Sequence, residues 1–319
     1  MHRPRLTVTA LATTALLLAA CGSDETGGST GGDTDVPLVV ATTSIWADVT
    51  SNVACEGLAR VETVIPRGAD PHSFEPSLRD RATLDGADLV IANGLDLEES
   101  LADTVDAVES DGVPVVRIGE DLDPLPLDDS AHDTDTDHDH GGDDPHVWWD
   151  PARVAVAVPI IADALVDVGL DRERVDACAE PYIDDLAALD DDVAAIVATL
   201  PADERILVTN HDSLGYFADR YGFEVIGTVI PSSSSLAAPS ASELDDLAEA
   251  IRASGVPAIF ADAQSSSTDA DALASRLGDV EVVSVLTGTL DDADTDAGTY
   301  VGWLRSNATT IVDALGGGS

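Results

Sequence analysis

Apolar strand-like runs alternate with helix-patterned segments along almost the whole chain, and that rhythm leaves few folds open. In the first half, PLVVATTS (37–44), VETVIP (61–66), ADLVIANG (87–94) and VPVVRIG (113–119) read as strands. Helical stretches separate them: one opening at Ile45 and Trp46, then SLRDRATLDG (77–86) and LEESLADTVDAV (97–108). Several of the strand runs are apolar nearly throughout, the pattern of strands buried on both faces of a sheet. The same order returns later, with RILVTN (205–210), FEVIGTVIP, PAIFADA and VEVVSVL as strands. Their partners DSLGYFADRYG, SELDDLAEAIRASG, STDADALASRLG and AGTYVGWLRSNATTIVDALGG read as helices. Ser240 and Glu243 carry the spacing of a capping box at the start of one of them. The expected class is α/β, with two lobes of parallel-sheet βα units, 38–170 and 202–319. Residues 171–201 read as a single long backbone helix joining the lobes, with Pro181 as a point of kink or break. About 28 helical residues would span roughly 42 Å.

The amino terminus sets the compartment. Arg3 and Arg5 precede an apolar run that ends in Leu18-Ala19-Ala20-Cys21. This is the layout of a secretory signal, and the Cys after Leu-Ala-Ala matches a bacterial lipobox. Residues 1–20 are expected to be a lipoprotein signal peptide, Cys21 the lipidated residue, and 21–37, rich in Gly, Ser, Thr and Asp, a flexible tether. The apolar run is too short for a membrane span, and no later run is long enough. The mature protein is therefore expected outside the cytoplasm, lipid-anchored to the cell membrane. There a disulfide is the default for the two remaining cysteines, Cys55 and Cys178, which lack the CxxC spacing of a zinc site.

The net charge is −46 and all fifteen basic residues are Arg. Such a surface repels nucleic acid and anionic lipid. It attracts cations only diffusely, so a specific site must come from particular residues.

The histidines are those residues. His72 in GADPHSFEP, His146 in DDPHVWWDP and His211 in VTNHDSLGYF each stand alone in a loop before a helix-like segment. His72 and His211 also follow strands, so they fall at the carboxyl edge of a parallel sheet, where α/β proteins bind ligands. Any one of them is by itself an ordinary loop histidine. Three of them, in both lobes, can converge on a cleft, and neutral imidazole is the commonest ligand for zinc. Asp150 is read either as a carboxylate orienting an imidazole or as the cap of the helix from Pro151. Residues 120–145 break the rhythm and are expected to be a long loop. Its core, 128–144, holds eight Asp together with His132, His138 and His140. Asp133, Asp135 and Asp137 begin like an EF-hand, but His138 stands where that loop needs Gly. The tract is either a solvated loop or an auxiliary metal-capture loop.

These segments resemble the substrate-binding lipoproteins of zinc/manganese ABC importers (the cluster 9 family, zinc-binding type). The resemblance rests on DPHSFEPSLRD, ADLVIANGLDLEESL, the His/Asp-rich loop before DPHVWWDPARV, VTNHDSLGYFADRYGF and GTYVGWLRSN, in the family's order over nearly all of 38–315. It implies two α/β lobes on one rigid helix, little hinge motion, and a metal between the lobes. It carries the family's three ligand histidines onto His72, His146 and His211. The third position, often Glu in manganese members, is His211 here, and nitrogen favours zinc. The family's fourth ligand, an Asp, falls on Gly288; the replacement is Asp291, three residues on, a water or another loop residue, with Asp291 favoured, and Asp262 is a cleft-edge acid in a supporting place. The implied function is Zn²⁺ binding and delivery to an ABC importer permease, by a monomer, without catalysis; Mn²⁺ is the alternative cargo. An adhesin role, assigned to some relatives, has no signature in these residues. A zinc hydrolase is the rival from another class, but the chain has no HExxH and no evident general base.

Overall fold

A computed structural model describes residues 36–55, 57–127 and 142–316. Cys21, residues 1–20, nearly all of 21–37, and His132, His138 and His140 lie outside the described residues.

Two four-stranded, all-parallel sheets carry the chain. The first has the order β2-β1-β3-β4, built from β1 (Leu38–Ala41), β2 (Arg60–Thr63), β3 (Leu89–Ala92) and β4 (Val115–Arg117). The second repeats it as β6-β5-β7-β8, from β5 (Ile206–Thr209), β6 (Glu224–Thr228), β7 (Ala258–Asp262) and β8 (Glu281–Val285). In each sheet the chain steps outward by one strand and then returns to the other side of the first. That reversal opens a crevice at the carboxyl ends of the central strands. The sequence explains which strands are central: β1 (LVVA) and β3 (LVIA) are apolar and almost wholly buried, whereas the edge strand β2 (RVET) exposes alternate polar residues. Charges along an edge also discourage pairing with another chain.

Helices α1 (Ser44–Val53), α2 (Leu78–Asp85), α3 (Ala102–Ser110), α4 (Pro151–Asp167), α5 (Arg172–Val197), α6 (Gly215–Tyr221), α7 (Ala241–Ser254), α8 (Thr268–Leu277) and α9 (Tyr300–Gly316) complete the two lobes. The long helix expected over 171–201 is α5, which starts on an Asp171 cap and carries Pro181 inside it. It packs along α1, α4 and α9. The chain's last helix thus lies against elements of its first half as well as on β7 and β8. One continuous apolar core runs from Val39 to Leu315, and Trp149 packs against Trp303 in a tilted contact with ring centres 4.5 Å apart. A smaller core of Val40, Leu84, Val90, Val105 and Val108 covers the opposite face of the first sheet. Cys55, just past α1, is bonded to Cys178 on α5 with Cα atoms 5.8 Å apart, so the pair is a disulfide.

Two helices start later than the sequence suggests. α3 begins at Ala102 and not Leu97. Leu95 (φ 54°) and Asp96 (φ 59°) take the left-handed conformation, and Glu98 turns inward to accept from the Thr42 hydroxyl and the backbone N–H groups of Asn93 and Gly94. α6 begins at Gly215, because Thr209 Oγ1 donates to the His211 carbonyl and the Asp212 N–H donates to the Ser232 carbonyl. Both departures hold loops at the carboxyl edges of the sheets. The 120–145 loop is also more ordered at its root than expected. Pro126 and Asp143 form an antiparallel bridge, and Leu127 N–H donates to the Gly142 carbonyl.

Candidate metal centre

Three histidines from distant parts of the chain meet in the crevice between the sheets. His72 stands in the loop after β2, where Gly68 (φ 78°) turns the chain and donates its N–H to Thr289 Oγ1. His146 ends the segment that closes onto α4 through the single tight turn Val147–Trp149. His211 follows β5 directly. They are 3 %, 1 % and 2 % exposed, so each imidazole has lost its water and needs other partners.

Their ring edges sort in a consistent way. His146 Nε2 lies 3.3 Å from His72 Nε2 and 3.3 Å from His211 Nε2. Their Nδ1 atoms face outward. His146 Nδ1 is 2.7 Å from Asp144 Oδ1, and His211 Nδ1 is 2.8 Å from Asp262 Oδ2. His72 Nδ1 has only Glu99 Oε1, at 3.4 Å. Donation of Nδ1–H to a carboxylate leaves the Nε2 lone pair free and aimed at the centre. Three nitrogens bound at 2.0–2.1 Å in tetrahedral directions would be about 3.3–3.4 Å apart. Both spacings to His146 match that, and the ligand atoms of all three rings lie within 4.8 Å of one another, an arrangement suited to one small cation.

Electrostatics favours the same reading. Burial, then the neighbouring His146 and His211, push His72 down to about 3. Burial holds His146 well below the ordinary range. Burial also pulls on His211, but the charge and hydrogen bond of Asp262 outweigh it and raise that imidazole. Asp262 is lowered in turn: burial opposes its ionisation, and His211, Asn210 and Ser265 more than compensate. Burial pushes Asp144 up to about 7. His72 and His146 are thus held neutral and ready to accept a cation, whereas Asp262 lets His211 keep a proton more readily.

The other expected residues fall as follows. Asp262 supports His211 from the end of β7. Asp291 is not brought to the centre. Among the described residues, the His, Cys, Asp and Glu ligand atoms that gather within 4.8 Å belong to His72, His146 and His211 alone. The loop before Asp291 is pinned by Ser44, whose Oγ accepts from Leu290 N–H, and by Gly68 on Thr289. Asp291 then serves as a brace: its carbonyl accepts from Arg67 and its Oδ1 accepts from the Asp292 N–H. Gly288 does reach the site wall, against Pro71. Asp150 is the α4 cap, accepting from Ala152 N–H, and orients no histidine.

Sequence reasoning missed Asp144, although a signal was present. Asp-Pro-His occurs twice, at 70–72 and 144–146. In both copies the Asp side chain accepts from the His backbone N–H, at 3.0 and 2.9 Å, and so fixes the turn that presents the ring. The copies then diverge. Asp144 also holds its own histidine's ring, whereas Asp70 accepts from Ser73 and, across the cleft, from Ser235. Gln264, also on the site wall, was missed as well.

Two parallel-sheet lobes closing on a buried three-histidine cluster define a metal-binding protein of the substrate-carrier type. The comparisons agree. The family model for zinc-uptake complex component A, periplasmic, matches residues 39–314, and the chain belongs to that family. Over 286 residues it is 32% identical to the zinc-binding protein TroA of Treponema pallidum, covering 88% of this chain and 89% of that one. Over 302 residues it is 30% identical to the manganese-binding lipoprotein MntA of Halalkalibacterium halodurans, covering 94% and 95%. The solved structure of periplasmic TroA superposes with a TM-score of 0.77 over 88% of this chain and 99% of that one. The protein is thus an extracytoplasmic metal-binding component of an ABC importer, whose partner is a membrane permease. It is not an enzyme: the metal is its cargo.

Proposed function

We propose that the protein captures Zn²⁺ outside the cytoplasm, while lipid-anchored as a monomer through Cys21, and delivers it to its permease. The observation that carries the zinc reading is the donor set. Three imidazole nitrogens converge with no carboxylate within ligand reach among the described residues. Such a set suits zinc, whereas manganese favours carboxylate, carbonyl and water oxygens. A manganese cargo is the second reading, favoured by the relative named a manganese-binding lipoprotein at 30% identity over 94% of this chain. We assign His132, His138 and His140 a supporting role in loose metal capture. The bridge between Pro126 and Asp143 roots their segment directly beside Asp144, His146's carboxylate partner.

Zinc/manganese competition on the soluble form beginning after Cys21 tests the cargo. One tight zinc equivalent that excess Mn²⁺ does not displace is expected. Preferential retention of manganese would sink the zinc reading. His146→Ala, which removes the ring between the other two, should weaken binding by more than about 100-fold. Excision of 128–141 should remove weak zinc equivalents and leave the tight one. The cut must stop there, because Asp144 belongs to the centre.

A further inference from the structure

Three histidines leave a tetrahedral ion one ligand short. The fourth donor must lie on the wall facing the three Nε2 atoms, where no carboxylate is within reach among the described residues. Asp262 sits behind His211: its Oδ2 accepts from Asn210 and Ser265 and lies 2.8 Å from His211 Nδ1. Its Oδ1, although buried without a partner, belongs to this same carboxylate on the Nδ1 side, outside the cluster of ligand atoms. Asp70 lies on the wall, but Oδ1 accepts from His72 N–H and Oδ2 from Ser73 and Ser235. Thr287 is there too. Its hydroxyl accepts from the Gln264 amide and its carbonyl accepts from Trp148 Nε1–H.

Gln264 is different. Its Nε2 is spent on Thr287 Oγ1, which fixes the amide plane. Its Oε1 is buried and has no hydrogen-bond partner. A buried carbonyl oxygen without a partner is costly and calls for an explanation. Gly288 stands on the same wall: a Cβ there would press on Pro71 Cδ at 3.0 Å and would merely touch Gln264 Nε2 at 3.6 Å.

We infer that Gln264 Oε1 is the fourth ligand, closing an N₃O site with a neutral amide oxygen. The inference rests on the zinc-carrier reading and adds to it. All four donors are then uncharged, and the ion's charge is balanced from behind the rings by Asp144 and Asp262. The set stays nitrogen-rich and lacks a carboxylate, which favours zinc, while its single carbonyl oxygen is of a kind that either metal accepts.

The test uses the soluble protein loaded with zinc and, for spectroscopy, with Co²⁺. Gln264→Ala should bind zinc at least about tenfold more weakly. Its Co²⁺ form should have an open position, so that added azide changes the visible absorption, while azide leaves the wild-type spectrum unchanged. Gln264→Glu, close in shape, should keep the position closed to azide and shift the zinc/manganese preference toward manganese. If wild-type and Gln264→Ala proteins have equal zinc affinity and respond equally to azide, Gln264 is not a ligand and the zinc-carrier reading stands. If the wild-type protein holds no tight zinc, both fall together.

Discussion

At the scale of single residues, the site's behaviour follows from what stands behind each imidazole. His72, pushed down to about 3, is uncharged near neutrality. The two His–Asp pairs differ from it. Asp144 is raised to about 7 by burial, and His211 is raised because Asp262 outweighs the opposing effect of burial. Each pair therefore takes up one proton as pH falls toward and below neutrality, and a bound cation must expel it. Metal affinity should accordingly drop on acidification, with the loss beginning near neutral pH. Calorimetry near pH 6, repeated in buffers of different ionisation enthalpy, should report about two protons released per zinc. A value near zero would mean that the pairs do not hold protons in the metal-free protein. How much of this was legible differs by residue. The three histidines stood out because each was isolated before a helix. Asp144 lay hidden in an acidic tract, where its role depends on a backbone turn. Asp291 has the right chemistry for a ligand, but the Ser44 and Gly68 contacts set the direction of its loop, and no local sequence pattern shows them.

At the scale of elements, the carboxyl ends of strands and the starts of helices do the positioning. Apolar runs identified the strands, and their near-complete burial identified the central ones. Helix starts were less legible. A sequence can show that 97–108 suits a helix, but not that Glu98 will be drawn away to satisfy the Asn93 and Gly94 N–H groups. The disulfide is an element-scale brace that closes a separation of 123 residues between the end of α1 and the first third of α5. Cys55→Ser together with Cys178→Ser should cost about 2–4 kcal/mol of stability. Denaturant titration of the metal-free protein reads that cost directly, and an unchanged midpoint would show that the bond braces nothing.

At the scale of the whole molecule, the lobes are held together by more than the ion. Arg67 donates to the carbonyls of Asp291 and Gly298, Trp148 Nε1–H donates to the Thr287 carbonyl, and the Tyr300 hydroxyl donates to the Trp148 carbonyl. These bonds join residues far apart in sequence, over one continuous apolar core. Wide opening would break them and expose that core, so small-angle scattering should give nearly the same radius of gyration with and without zinc. A large contraction on binding would show that the lobes swing on a hinge. Zinc should still raise the melting temperature, since at a thousandfold excess over Kd the native state gains about 4.1 kcal/mol. The sequence by itself determined the βα order, the parallel sheets and the three nitrogen donors, because periodicity and residue chemistry are local properties. Only the tertiary structure decided which carboxylates face the imidazoles, that Asp291 is a brace, and that a buried amide oxygen on Gln264 is left without a partner. Those outcomes depend on where loops from two sheets meet, and no local pattern in the chain encodes that meeting.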